Sequence, residues 1–231
     1  MVFYFKIRSL LGYIFSFIFL IAANLCVAIP TQPTTTPLAR FSVVIDAGHG
    51  GVDTGAVSKS GANERDINLA IAQKLGKMLL NLQIQTIYTR TTKDALYNDF
   101  TRGHKLKDME KRAEVIKKAN PNLVISIHLN SFPSQSAHGA QVFFKPKDNS
   151  SQELAQNLQE LFVKNIEGSR NTAQEGDFYI LNCSPSTAIL VECGFLSNPD
   201  EEQKLKSDSY QEKLAYTIMC GVVSFFGLNE N

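Results

Sequence analysis

The sequence predicts a single α/β domain, built on a twisted, mostly parallel sheet of about six strands with helices on both faces. Short apolar runs alternate along the chain with longer segments of helical periodicity. The apolar runs are continuous, as in strands that are buried on both faces of a parallel sheet. About 190 residues remain once the first forty are set aside, which suits one domain with a sizeable core.

The strands are predicted from apolar runs bounded by glycine, proline or polar residues, and the helices from apolar residues that recur every three or four positions. The predicted strands are 41–46, 84–89, 123–128, 140–144, 178–181 and 188–192. The predicted helices are 64–82, 108–118, 152–165 and about 210–226. A long polar loop is expected at 90–107.

The first 29 residues are predicted to be a signal peptide or a membrane anchor. Lys6 and Arg8 precede a mostly apolar run from 10 to 29. Either alternative places the rest of the chain outside the cytoplasmic membrane, because the positive charges stay inside. A poor small-x-small cleavage site at 26–28 favours an uncleaved anchor. Residues 30–40, with three prolines and four threonines, predict an extended linker to the domain at 41–231.

Overall charge and cysteine content exclude few classes of function. Lys and Arg number 23 against 22 Asp and Glu, a net charge of +1, so no electrostatic field argues for nucleic acid as a partner. Cys26 lies in the leader, and the three other cysteines are an odd number. A disulfide between Cys183 and Cys220 stays an open alternative, because pairing depends on geometry.

Four residues with catalytic chemistry occur where predicted strands end or a helix begins. His49 lies in a glycine-rich turn after the first strand, Glu64 opens the first helix, and His128 and Glu192 end two buried strands. Ligands of such sheets gather beyond the carboxyl ends of the strands, so one crevice should hold all four. Two histidines and a carboxylate are a common catalytic zinc set, and a second carboxylate can act as a general base.

Each of these residues also has a structural interpretation. His49 could face solvent in its turn, Glu64 could serve the helix dipole, and His128 could be a satisfied core histidine. Glu192 is the hardest to explain structurally, because a buried glutamate is rare unless it is paired or ligated. A phosphate-binding loop at His49 is disfavoured, since no Lys-Ser/Thr pair follows.

Four motifs, in order, carry a resemblance to a known family. DAGHGGVDTGA, GANERDINLAIA, SIHLNS and LVECGFLSNPDE are similar to the motifs of the zinc-dependent N-acetylmuramoyl-L-alanine amidases, over residues 41–226. The resemblance implies that 41–231 is a catalytic domain that uses Zn²⁺ to hydrolyse the bond between N-acetylmuramic acid and L-alanine in peptidoglycan. It implies His49, Glu64 and His128 as zinc ligands and Glu192 as the catalytic base.

Three nearby residues have weaker assignments. Asn130, just after His128, is a candidate for a hydrogen bond to substrate. Arg112 is a second candidate for substrate binding, although a structural ion pair is an equal alternative. Cys193 follows Glu192, and strand alternation should direct it to the opposite face of the sheet.

A narrower resemblance points to the germination-specific, spore-cortex branch of the family. It is carried by HLNSFPSQSAHGAQVFF and by Asn182, which stands where many vegetative members have arginine. It implies a role in cortex maturation, with muramic δ-lactam formation, and in germination, in the forespore intermembrane space or cortex. A partner protein that activates the enzyme is a further candidate. The alternatives are a zinc carboxypeptidase acting on the stem peptide and a non-catalytic wall-binding module.

Overall fold

A six-stranded sheet forms the centre of the domain, in a computed structural model that describes residues 40–97 and 103–228. Its strands are β1 (Ser42–Ala47), β2 (Gln85–Tyr88), β3 (Leu123–Asn130), β4 (Gln141–Phe144), β5 (Gln174–Glu175) and β6 (Thr187–Phe195). The strand order is β2-β1-β3-β6-β4-β5, and only the β4–β6 pair is antiparallel among these neighbours. The mostly parallel sheet is therefore confirmed, while the predictions for the leader and for linker residues 30–39 lie outside the described residues.

Helices cover both faces of the sheet, as predicted. They are α1 (Glu64–Asn81), α2 (His104–Ala119), α3 (Asn149–Asn165), α4 (Tyr179–Asn182), α5 (Pro199–Lys206) and α6 (Asp208–Phe225). Helices α1, α3, α5 and α6 share one apolar core with the sheet, whereas α2 and α4 share the other. Within the described residues, no helix has the length and apolar character needed to cross a membrane.

The predicted strand at 178–181 is wrong. Residues Tyr179–Asn182 form the one-turn helix α4, and the two-residue strand β5 takes the sheet edge beside β4. A four-residue apolar run fits either element, and here packing decides, because Ile180 and Leu181 enter the second core. The Asn182 side chain then donates to Asp177 and to the Phe178 carbonyl and closes the turn.

Two helices also differ from the prediction. Helix α2 begins at His104, inside the segment predicted as loop, and α5 follows β6 without having been predicted. The start of α5 is set by the Asn198 side chain, which accepts the backbone N–H groups of Asp200 and Glu201.

The three central strands bring the candidate residues to one edge. Strands β1, β3 and β6 are adjacent and parallel, so their carboxyl ends lie together. His49 follows β1, and His128 lies directly opposite Glu192 in the β3–β6 register. Residues paired in this way direct their side chains to the same face of the sheet.

Candidate active site

His49, Glu64 and His128 converge on one point. Glu64 Oε1 lies 3.1 Å from His49 Nε2 and 3.1 Å from His128 Nδ1. One ligand-type atom from each residue lies within 4.8 Å of the other two, and this is the metal-compatible group found among the described residues. The two imidazole rings meet edge to face, with centroids 5.0 Å apart.

Two glycines make room for these side chains. A Cβ atom on Gly48 would lie 2.2 Å from His128 Cε1, and one on Gly55 would lie 2.5 Å from Glu64 Oε2. Gly55 also has a φ of +63°. The glycines of the motif are thus needed for the close approach of the imidazole and the carboxylate, while His49 itself takes a positive φ of 62°.

Buried arginines support the turn that carries His49. Arg112, 1% exposed, donates to Asp46 Oδ1 (2.7 Å), to Asp108 Oδ2 (2.7 Å) and to the carbonyl of His49. Arg90 donates to the carbonyl of Gly48 (2.9 Å) from the segment predicted as loop. Arg112 therefore forms the structural ion pair that was one of its two predicted roles. Contact between Arg112 and substrate stays a prediction.

The negative charge of Asp46 helps to hold Arg112 in place against the His49 turn. Burial raises the pKa of Asp46, but the Arg112 guanidinium and hydrogen bonds from Ser126 and Thr89 outweigh burial and lower it to about 2. The carboxylate is therefore ionised at neutral pH and holds Arg112 beneath the His49 turn.

Two polar residues that orient the cluster were missed by sequence reasoning. Asp53 Oδ2 lies 2.9 Å from His49 Nδ1, which leaves His49 Nε2 directed at Glu64. The Asn68 amide donates to Glu64 Oε1 (3.2 Å). Asp53 lies four residues after His49 in the glycine-rich motif, so its place in the motif could have marked it as a partner of His49. Asn68 is one polar residue in a helix, and no sequence pattern marks it.

Glu192 is the most unusual carboxylate of the site. Its Oε2 atom is buried and has no hydrogen-bond partner within the described part of the chain. Burial and the Glu64 charge raise the pKa of Glu192, the two histidines oppose them, and the result is a pKa of about 7. A carboxyl group with this pKa exchanges a proton readily near neutral pH.

The cluster favours a positive charge at its centre. Burial lowers the pKa of His49, but hydrogen bonds and charges from Asp53 and Glu64 prevail and raise it to about 9. Burial likewise raises the pKa of Glu64, and the histidines reverse this and hold it below its usual range. Two imidazoles and a carboxylate arranged to stabilise positive charge fit a zinc ion in ligand type and number.

The remaining candidates lie close by. Asn130 is two residues beyond His128 on β3, partly exposed, and its backbone carbonyl accepts the N–H of Leu196 (2.8 Å). Cys193 is fully buried in the core on the opposite face from Glu192, as predicted from strand alternation. Cys183, Cys193 and Cys220 are free thiols, so the Cys183–Cys220 disulfide is absent among the described residues.

Comparison with known proteins agrees with this geometry. The sequence profile of a family described as N-acetylmuramoyl-L-alanine amidase matches residues 43–224. The germination-specific N-acetylmuramoyl-L-alanine amidase of Bacillus subtilis is 33% identical over 199 residues, which cover 84% of each chain. AmiA of Escherichia coli is 29% identical, over 82% of this chain and 77% of AmiA.

A solved structure is also similar. The CwlD amidase of Clostridioides difficile, solved in complex with the GerS lipoprotein, superposes with a TM-score of 0.77 and 35% identity, over 82% of this chain and 100% of that one. The converging histidines and carboxylates, the family profile and these relatives lead to one conclusion: the chain belongs to the N-acetylmuramoyl-L-alanine amidase family, enzymes that act on peptidoglycan.

Proposed function

We propose that this amidase is a zinc enzyme that hydrolyses the bond between the lactyl carbonyl of N-acetylmuramic acid and the nitrogen of L-alanine. The observation that carries the proposal is the convergence of His49, Glu64 and His128 beside Glu192, whose Oε2 atom is buried without a partner among the described residues. A buried polar atom without a partner costs free energy, so its presence here argues for a function.

His49, Glu64 and His128 would hold the ion. Asp53 occupies His49 Nδ1 and so fixes the ring orientation that presents Nε2 to the centre of the site. Such outer carboxylates commonly orient a metal-bound histidine. When bound, zinc would supply Lewis-acid chemistry, polarising the amide carbonyl and lowering the pKa of water.

Glu192 is proposed to move the proton. As the water oxygen bonds to the lactyl carbonyl carbon, Glu192 takes a proton from that water. As the carbon–nitrogen bond breaks, Glu192 delivers the proton to the departing L-alanine nitrogen. Burial raises the pKa of Glu192 above its ordinary value, which suits a group that acts as a base in one step and as an acid in the next.

The substrate contacts remain part of the proposal. We propose that Asn130, at the same sheet edge as His128, donates a hydrogen bond to the substrate. Arg112 is enclosed by Asp46, Asp108 and the His49 carbonyl, so we propose that it acts on substrate through the His49 turn.

The experiment is digestion of purified peptidoglycan with the zinc-loaded protein, followed by mass spectrometry. Free stem peptides that begin with L-alanine support the amidase. Loss of terminal residues alone would indicate the carboxypeptidase alternative, and binding without any product would indicate a wall-binding module. The Glu192→Gln variant is the matched control, because it keeps size and removes basicity. It should bind zinc normally and turn over about 10²–10⁴-fold more slowly.

We further propose a role in spore cortex maturation and germination, outside the cytoplasmic membrane, with the leader as signal peptide or anchor. The similarity to the germination-specific relative and the presence of Asn182 support the role. The relative solved with a lipoprotein supports an activating partner. Deletion of the gene should leave division normal and give spores without muramic δ-lactam. Chained cells with an unaltered cortex would contradict this role.

A further inference from the structure

A cavity of about 240 Å³ lies beside the zinc-ligand cluster, between the start of α2 and α4. His49 and His128 line it together with three apolar side chains, Leu106, Met109 and Ile180. Cavities for drug-sized ligands begin at about 300 Å³, so this one suits a short part of the substrate. The hydroxyl and acetamido groups of a sugar would lie unpaired against the apolar wall, which favours the peptide side of the cleaved bond.

Lys105 provides a cation at the solvent side of this cavity. Its side chain is 67% exposed, and Nζ lies 3.3 Å from Asp53 Oδ2. An ammonium group has three donors, and an exposed ion pair contributes about 1 kcal/mol or less, so a substrate carboxylate can share or replace this contact. Apart from the two histidines, the other basic side chain of the described lining is Arg112, which is buried and bonded to Asp46 and Asp108.

The distance from Lys105 to the cluster defines which substrate group it meets. Asp53 Oδ2 contacts both Lys105 Nζ and His49 Nδ1, so the ammonium lies within about 6 Å of the His49 ring. An extended peptide advances about 3.3–3.6 Å per residue. The second residue of a peptide whose first nitrogen lies at the cluster is therefore within reach of Lys105.

We propose that Lys105 binds the carboxylate of the second residue of the stem peptide and so makes the enzyme selective for its charged form. The inference rests on the proposed function. The second stem residue is D-glutamate joined through its γ-carboxyl group, so its α-carboxyl group is either free or amidated. The short L-alanine side chain would lie against Leu106, Met109 and Ile180.

The test compares two muropeptides that differ only at this α-carboxyl group, one free and one amidated. The zinc-loaded wild type should show a kcat/KM about two- to fivefold higher for the free acid, the range for an exposed ion pair of about 1 kcal/mol or less. Lys105→Met should lose that preference, with a small change for the amide. Lys105→Arg should retain it. Lys111→Met, an exposed lysine paired with Glu114 on the same helix, is the matched control and should keep the wild-type ratio.

Two results would overturn the inference. One is a wild type that cleaves both substrates equally well. The other is a Lys105→Met variant that slows both equally, which would indicate that Lys105 acts only through Asp53. If the wild type cleaves neither substrate, the proposed function fails instead. In that case, calorimetry of the binding of the two product dipeptides, the α-acid and the α-amide, decides the inference. Lys105→Met must weaken the affinity for the α-acid and leave the affinity for the α-amide unchanged.

Discussion

Gly48→Ala should disrupt the proposed zinc site without straining the backbone. The new Cβ atom would lie 2.2 Å from His128 Cε1 and 2.3 Å from its Nε2, whereas ordinary contacts lie at 3.4–4 Å. The imidazole would have to move by about 1 Å, and zinc ligands tolerate about 0.2 Å. We expect zinc affinity to fall by at least about tenfold and turnover by about 10²-fold, the cost of a 1 Å misplacement.

The assay measures zinc by competition with a chromogenic chelator and amidase activity on peptidoglycan. Gly61→Ala is the matched control, because its Cβ meets nothing within 4 Å although its φ is +89°. It should lose about 1–2 kcal/mol of stability and keep its zinc. A Gly48→Ala protein with stoichiometric zinc, wild-type affinity and full activity would refute the packing argument.

Three further predictions concern the residues around the cluster. Asp53→Asn removes the charge that orients His49 and should weaken zinc binding about 10- to 100-fold, measured by chelator competition; unchanged affinity would contradict this role. Asp46 has a lowered pKa, so its stabilising charge is fully present above pH 3.8 and is lost as the pH falls towards about 2, at a cost on the order of 2 kcal/mol. Denaturant unfolding should therefore show that Asp46→Asn has a lower free energy of unfolding than the wild type at pH 7. Between pH 4 and 2 its free energy of unfolding should change less with pH, and a pH dependence equal to that of the wild type would contradict this role of Asp46. Glu201→Gln replaces a carboxylate that accepts the N–H groups of Gly139 and Phe195, so it should lose about 1–3 kcal/mol in thermal unfolding with zinc retained; a wild-type melting temperature would show that these contacts contribute little.

The sheet and its helices were largely predictable because both depend on local patterns. The apolar runs before His49, His128 and Glu192 are strands β1, β3 and β6, and their parallel order follows from the alternation with helices. The four-residue run at 178–181 was too short for its periodicity to separate strand from helix, and its packing on the second core decided for helix. Helix α5 was missed because eight mostly charged residues carry little apolar periodicity.

The sequence by itself determined which residue types end the central strands, and so predicted the chemistry that could meet at one edge of a parallel sheet. Only the tertiary structure decided what supports that chemistry. The contacts of Arg112 with the His49 turn, of Arg90 with Gly48, and of Lys105 with Asp53 join residues far apart in the chain. Such contacts depend on how loops close over the sheet, and no local periodicity encodes them, because side-chain hydrogen bonds form only where packing has already brought donor and acceptor together.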